Sequence, residues 1–264
     1  MTETKSFRTL SIVGPGRVGH SIARAAVAAG IEAFLVGRAQ PLVDQTPADV
    51  AIITVPDTEI ASCCEYLCRN GEIPGLVGHT SGATGLDALA AVSQTGTAVF
   101  SMHPLQTFAD RKTSLAGQNC AVTSDSDVAL ERVSALAREL GMRPFKLDDS
   151  DRPAYHAAAS IASNFLIALE ESAAELLSKA GIEHSRELLS PLVLRTAQNW
   201  TDQGANALTG PIARGDEQTV DLHVETIAEL SPELLDLYAV MAERTRTLAA
   251  GREPSADPKA VARC

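Results

Sequence analysis

The sequence predicts an α/β protein: a mostly parallel sheet with helices on both faces, followed by a smaller all-helical domain. Three observations carry this. Over residues 1–150, short β-branched runs alternate with helical stretches, the pattern of strand–helix–strand units. One run, residues 49–55, is continuously apolar, as strands covered on both faces are. After Asp151 strand signals nearly vanish and helical stretches remain.

Residues 8–13 read as the first strand, which runs into glycines. Residues 18–30 are alanine-rich and read as a helix stopped by Gly30. A second strand covers 33–36 and a third 49–55. Pro56 ends the third, and Asp57 is placed to cap a helix reaching about Arg69. Residues 76–80, 98–102 and 119–123 read as strands, 125–140 as a helix and 143–147 as the last strand. The boundary falls in the charged turn at 148–153. Beyond it, 155–180, 184–199, 219–230 and 232–249 read as helices, punctuated by Gly181 and by Ser231-Pro232. The organisation expected is a sheet domain over 1–150, a helical domain over 151–250 and a mobile tail over 251–264. The tail holds Pro254, Pro258 and little apolar content.

Of 264 residues, 45% are apolar and 21% charged, enough for a sizeable core and against a disordered chain. The formal charge is -11. So acidic a chain repels nucleic-acid phosphates and anionic membranes. Residues 1–150 carry 12 basic and 16 acidic groups and residues 151–264 carry 10 and 17, so neither half is basic. An anionic ligand therefore needs a local pocket of positive potential. The most apolar long stretch, 155–169, contains His156, Ser160, Ser163 and Asn164, so it reads as a buried helix and not a membrane span. The N-terminus is polar, without the apolar core of a signal peptide. Five cysteines, three of them crowded at Cys63, Cys64 and Cys68, argue against a disulfide framework and fit a reducing cytoplasm. No metal site is expected from them.

The sharpest motif is Gly14-Pro15-Gly16-Arg17-Val18-Gly19, between a strand and a helix. That is the context of the dinucleotide fingerprint in a Rossmann-type sheet. Gly14 permits the tight turn, Gly16 leaves room for a pyrophosphate, and Gly19 lets the helix pack on the sheet. The helix's free N–H groups and positive dipole end then face the phosphates. The bland alternative is a tight turn without a ligand. An NAD site offers a carboxylate at the end of the second strand; here the strand ends Val36-Gly37-Arg38. Arg38 suits a 2′-phosphate, which favours NADP(H), unless it is a solvated loop arginine. The short interval from Arg38 to Asp49 leaves no room for the usual helix. Val55 and Pro56, where the third strand ends, are placed to meet the nicotinamide.

Two loops follow strands at the edge where open α/β sheets bind ligands: one with His79 and Ser81, the other with His103. Either histidine suits donation to a carbonyl or proton transfer; the alternative is a structural bond to the backbone. His156, Ser160 and Asn164 lie at i, i+4 and i+8 of a predicted helix, roughly on one face. Buried, this polar line needs partners, either a core network or a substrate. Finally, residues 209–216 form a Gly/Pro loop with Thr209 and Arg214. Arg214 has the fork suited to a substrate carboxylate, or it closes a salt bridge to Asp216 or Asp221.

Together, the GPGRVG at Gly14, the TVPD at Thr54, the GHTSGA at Gly78, the HPLQTF at His103, the YHAAASIASNFLIAL helix and the ALTGPIARGD loop resemble one group. It is the Rossmann-like proteins with a helical C-terminal domain of undefined function, in the 6-phosphogluconate-dehydrogenase-like superfamily. The resemblance spans about residues 8–250 and implies an NADP-dependent oxidoreductase. The helix also looks like that of ketopantoate reductases, in which a lysine is followed by asparagines at i+4 and i+8. By position His156 stands for the lysine, Ser160 for the first asparagine and Asn164 for the second.

The resemblance implies reduction of a small anionic 2-oxo acid or related imine, with ketopantoate the most specific candidate. The cofactor is expected at Gly14, Gly16, Arg17, Val18, Gly19, Arg38, Val55 and Pro56. The expected catalytic pair is His156 as proton donor and Asn164 orienting the carbonyl. His79, Ser81, His103, Ser160, Thr209 and Arg214 are expected to bind substrate in the interdomain cleft, and the helical domain to pack a homodimer. The alternatives are a non-catalytic dinucleotide-binding regulator and a reductase passing hydride between NADP and a deazaflavin.

Overall fold

The computed structural model describes residues 7–37, 48–70 and 73–251, and every structural statement below concerns these. The chain divides into two compact units, Met1–Ser163 and Asn164–Cys264.

The first unit is a seven-stranded sheet in the order β2-β1-β3-β4-β5-β6-β7. The strands are β1 (Thr9–Val13), β2 (Glu32–Val36), β3 (Val50–Ile53), β4 (Leu76–His79), β5 (Ala98–Pro104), β6 (Asn119–Ser124) and β7 (Arg143–Lys146). All neighbours are parallel except β5 and β6, so the mostly parallel sheet expected from the sequence is present. Its four-residue central strands β3 and β4 are wholly buried. Asp49 clips β3 to β1: its carboxylate accepts the Arg8 and Thr9 N–H groups at 2.6 and 3.0 Å. The Arg8 amide foremost holds that carboxyl below the usual range.

Helices α1 (Arg17–Ala28), α2 (Ile60–Asn70), α3 (Ala90–Ser93) and α4 (Asp127–Glu139) cover the sheet. They form two apolar clusters. Ile12, Ile22, Phe100, Met102 and Leu136 belong to one, and Ile53, Ile60, Val77 and Leu89 to the other. Ser126 caps α4 by accepting the Ala129 N–H. Asp57 makes no such cap. Chain entry into α2 runs through a 3-10 turn, Asp57–Glu59, preceded by Pro56.

Helix α5 (Arg152–Ser160) also belongs to the first unit. The reason is Arg152, whose side chain is 3% exposed. Its guanidinium donates to Asp149 Oδ1 at 2.9 Å, to the Ser81 carbonyl at 3.3 Å, to Ser101 Oγ at 3.2 Å and to Thr123 Oγ1 at 3.0 Å. It thereby joins the turn before α5 to the turn after β4, to the middle of β5 and to β6 near its end. The units therefore divide after α5, later than the charged turn where the composition changes. A π turn, Ile161–Phe165, follows.

The second unit holds α6 (Leu166–Lys179), α7 (Ser185–Gln203), α8 (Pro211–Arg214), α9 (Glu217–Leu230) and α10 (Leu235–Ala250). Buried apolar residues here are few: Ala174, Val220, Ile227 and Ala242. Leu188, Leu192, Leu194, Trp200 and Val240 are exposed. The buried helix expected over 155–169 is corrected in the same way. Ile161, Phe165, Leu166 and Ile167 are exposed, because apolar composition alone does not supply a neighbour to cover it. Among the described residues no helix is long and apolar enough to cross a membrane.

Replacing Arg152 by Met removes four hydrogen bonds but leaves Asp149 partly in water. It should cost on the order of 3 kcal/mol in urea unfolding. Arg186→Met, at a side chain 76% exposed, should stay within about 0.5 kcal/mol. Equal effects would remove Arg152 from its structural role.

Candidate active site

The glycine loop is shaped by what surrounds it. Gly14 has φ +114°, and a Cβ there would lie 2.8 Å from the Thr54 backbone. A Cβ on Gly19 would strike the Gly14 carbonyl oxygen. Thr54 closes the loop, its hydroxyl donating to the Gly14 carbonyl at 2.6 Å. Gly16 differs: the nearest atom to a Cβ there is 4.0 Å away. It is the extended N-cap of α1, which carries no side-chain cap and no acid in its first turn. The first amides of α1 thus have no side-chain acceptor at the N-cap. A cavity of about 520 Å³ opens beside it, lined by Gly14, Gly16, Gly37, Val55, Pro56 and Tyr66 among others. This arrangement fits a pyrophosphate with its adenosine arm. Arg17 is turned toward the Phe108 carbonyl at 3.4 Å, and Val18 packs against the core. Arg38 lies outside the described residues.

At the C-terminal ends of β4 and β5 a second arrangement forms. His79 is fully buried. Its Nε2–H donates to the Gly85 carbonyl at 3.2 Å, while Nδ1 accepts the Ser81 N–H at 3.2 Å. Ser81 is buried too, its Oγ accepting the Ala83 and Thr84 N–H groups. Both expected substrate ligands are thus spent on shaping their own turn.

His103 is placed otherwise. Its Nδ1 lies 2.7 Å from the Tyr155 hydroxyl, with the rings edge to face at 88°. A Cβ on Gly82 would lie 2.8 Å from His103 Cε1 and Nε2 and 3.0 Å from His156 Cδ2. The two imidazoles therefore meet over Gly82, where only a missing side chain makes room. Two periodicities produce this. Ser101 and His103, two apart on β5, share a face of the strand; Arg152 and Tyr155, three apart on α5, share a face of the helix. Arg152 meets Ser101 and Tyr155 meets His103.

Burial pushes His79 down to about 4, with the Arg152 charge adding to it against the Gly85 hydrogen bond. Burial, then the neighbouring His156 and Arg152, push His103 down to about 4. Burial pushes the Tyr155 hydroxyl up to about 12.

Ser160 is half-buried near the end of α5, and Asn164 sits in the π turn. That turn interrupts the regular α register on which one shared face for His156, Ser160 and Asn164 depends. In the second unit Thr209 and Arg214 are exposed, and Gly215, in the left-handed region, ends α8. Asp216 caps α9, accepting the Thr219 hydroxyl at 2.7 Å and N–H at 3.2 Å; these bonds hold its carboxyl low. Among the described residues no cluster of three metal-ligating side chains occurs. Sequence reasoning missed Arg152, Tyr155 and Thr54 as site residues. An arginine that follows three aspartates and a serine and precedes a proline was the available signal for the first.

Comparison with known proteins agrees with this architecture. Residues 118–245 match the family model of a domain of unknown function, DUF2520, and residues 38–104 a Rossmann-like domain. No curated protein matches the chain. Among solved structures, a Bacteroides fragilis protein provisionally named an NADP oxidoreductase superposes with a TM-score of 0.75 at 20% identity. It covers 92% of this chain and 100% of that one. A Thermotoga maritima protein gives 0.72 at 23%, covering 91% and 98%. The 1-pyrroline-5-carboxylate reductase of Streptococcus pyogenes gives 0.59 at 16%, covering 92% and 98%. These likenesses establish the fold.

The two depressed histidines imply a pH dependence of stability. Both are neutral when folded, while an unfolded histidine takes its proton near 6.5. Stability is therefore complete above about 6.5 and lost as pH falls toward 4, by up to about 3 kcal/mol per histidine. The charged and titratable groups acting on His103 are His156, Arg152, Asp57 and His79. Thermal melts from pH 7.5 to 4 should show the decline, and His103→Gln should flatten part of it. A level profile would contradict neutral burial.

Proposed function

We propose that the protein is an NADPH-dependent reductase of a small 2-oxo acid or related imine. The observation that carries this reading is the glycine loop: packed shut at Gly14 and Gly19, open at Gly16 beside an uncapped helix end. The fold it shares with a provisionally named NADP oxidoreductase supports it. The name of the Streptococcus pyogenes neighbour, a pyrroline carboxylate reductase, supports the imine alternative. Ketopantoate remains the most specific oxo-acid candidate. The preference for NADP(H) rests on the end of β2, where Val36 and Gly37 offer no carboxylate and Arg38 follows.

When bound, the nicotinamide supplies hydride to the substrate carbon. The protein's part is placement and charge. The amides of α1 hold the pyrophosphate, and Val55 and Pro56 bound the nicotinamide side. His156, beside Gly82, gives the proton to the substrate oxygen or nitrogen and recovers it from water. Asn164 and Arg214 are proposed, from the sequence resemblance alone, for the substrate carbonyl and carboxylate. A second copy of the chain is the proposed cover for the exposed apolar residues of the helical unit.

Two substitutions separate ligand from scaffold. Gly16→Ala should leave the melting temperature unchanged yet weaken NADPH binding at least about ten-fold in calorimetry, because its Cβ enters space that only a ligand fills. Gly19→Ala should destabilise the fold by about 1–3 kcal/mol through overpacking. If Gly16→Ala binds as wild type does, the dinucleotide reading is lost.

For the chemistry, NADPH oxidation should be measurable with ketopantoate or a cyclic imino acid, and His156→Ala should lower turnover on the order of 10²-fold. NADPH binding with no turnover across oxo acids and imines would instead favour a dinucleotide-binding regulator.

A further inference from the structure

We propose that Tyr155 is a positioning residue for His103: its hydroxyl donates to Nδ1, keeps the ring proton on Nε2, and so makes His103 a neutral hydrogen-bond donor toward the substrate carbonyl or imine. The substrate-facing half of this rests on the reductase reading; the tautomer rests on the geometry of this chain alone.

The hydroxyl and Nδ1 are 2.7 Å apart. One of the two must donate. A phenol is the stronger acid of the pair and a bare imidazole nitrogen the better acceptor. The Tyr155 hydroxyl and His103 Nδ1 are hydrogen-bond partners of each other. Nε2 and Cε1 are the ring atoms that occupy the place a Gly82 side chain would fill, so the Nε2–H stands beside the Gly82 turn, and its approach to substrate is the part that rests on the reductase reading. The site edge is the right one: His103 lies near the end of β5, beside the end of β4, where open α/β sheets hold their ligands.

The surroundings discourage a second proton on the ring. Arg152 brings a buried cation nearby, with His156 and His79 also acting on it; Asp57 pulls the other way. His103 is thus suited to polarise a double bond while a separate group supplies the proton. Tyr155 itself is held from a second side by Phe145, edge-on at 6.0 Å. Its orientation therefore comes from the packing of α5 on the sheet and does not depend on a ligand.

The test reads the ring nitrogens directly. In the full chain labelled with 15N-histidine, long-range proton–nitrogen correlation from pH 5 to 8 reports each tautomer, with His103→Gln assigning the signal. The expected result is an Nε2–H tautomer for His103 throughout. Tyr155→Phe should move it toward the Nδ1–H form. Tyr238→Phe, which breaks the separate His223–Tyr238 pair, should leave His103 unchanged. An Nδ1–H tautomer in the unaltered chain overturns the proposal, and so does a Tyr155→Phe spectrum with His103 unmoved.

With a turned-over substrate, Tyr155→Phe should lower kcat about ten-fold while the Kd for NADPH holds. An unchanged kcat would overturn the catalytic part. Failure to bind NADPH, with the tautomer as expected, would end the reductase reading and leave the hydrogen bond standing.

Discussion

The arrangement of the site depends on one buried cation. Arg152 sits in the first turn of α5, at the positive end of the helix dipole, a position that favours acids. It is also almost wholly removed from water. Both facts are unfavourable by themselves. They are offset by acceptors from the turn after β4, from β5 and from β6, and by Asp149, whose second oxygen accepts the Leu86 N–H at 3.0 Å. Because these acceptors belong to different segments, the fork can satisfy them in one orientation only. That orientation sets the phase of α5, and the phase brings Tyr155 to His103 and His156 to Gly82. A lysine, with a point charge and no fork, could not fix the same geometry.

The dinucleotide end obeys a different constraint, steric instead of electrostatic. The turn after β1 is compressed between Thr54 and α1 until no side chain fits at two of its three glycines. Thr54 contributes the hydroxyl that ties the carbonyl of Gly14 in place. Compression at two points leaves the third free. A pocket made this way is preformed, so little ordering is required when a ligand arrives.

How far all this could be read beforehand follows from sequence distance. The glycine loop was legible because strand, turn and helix are contiguous, and each glycine has its own local reason. The central strands were legible because burial on both faces leaves a continuous apolar run. The second arrangement was not. Tyr155 and His103 are 52 positions apart, Arg152 and Ser101 51. Their spacings of three on a helix and two on a strand become meaningful once those two elements are known to meet. His79 shows the converse error. A histidine after a strand looks the same whether it faces a ligand or its own turn; what decides is a backbone carbonyl, Gly85, which has no sequence signature. The apolar helix over 155–169 misled for a related reason, since hydrophobicity predicts a wish for burial but not the partner.

Charge links the two ends. The chain carries a formal charge of -11, yet the proposed ligands are anionic. Arg152 offers them little hydrogen bonding, most of its donors being committed to the protein. His79 and His103 do not either, since burial keeps them neutral. What the first unit offers instead are dipoles: the amide row at the start of α1 and an imidazole N–H over Gly82. Fixed dipoles need no counter-charge, act over short range, and are little weakened by the distant carboxylates that repel an anion in solution. An acidic protein can thus hold a phosphate where its backbone is aimed and repel it elsewhere. That is a form of selectivity which a cluster of surface lysines would not provide.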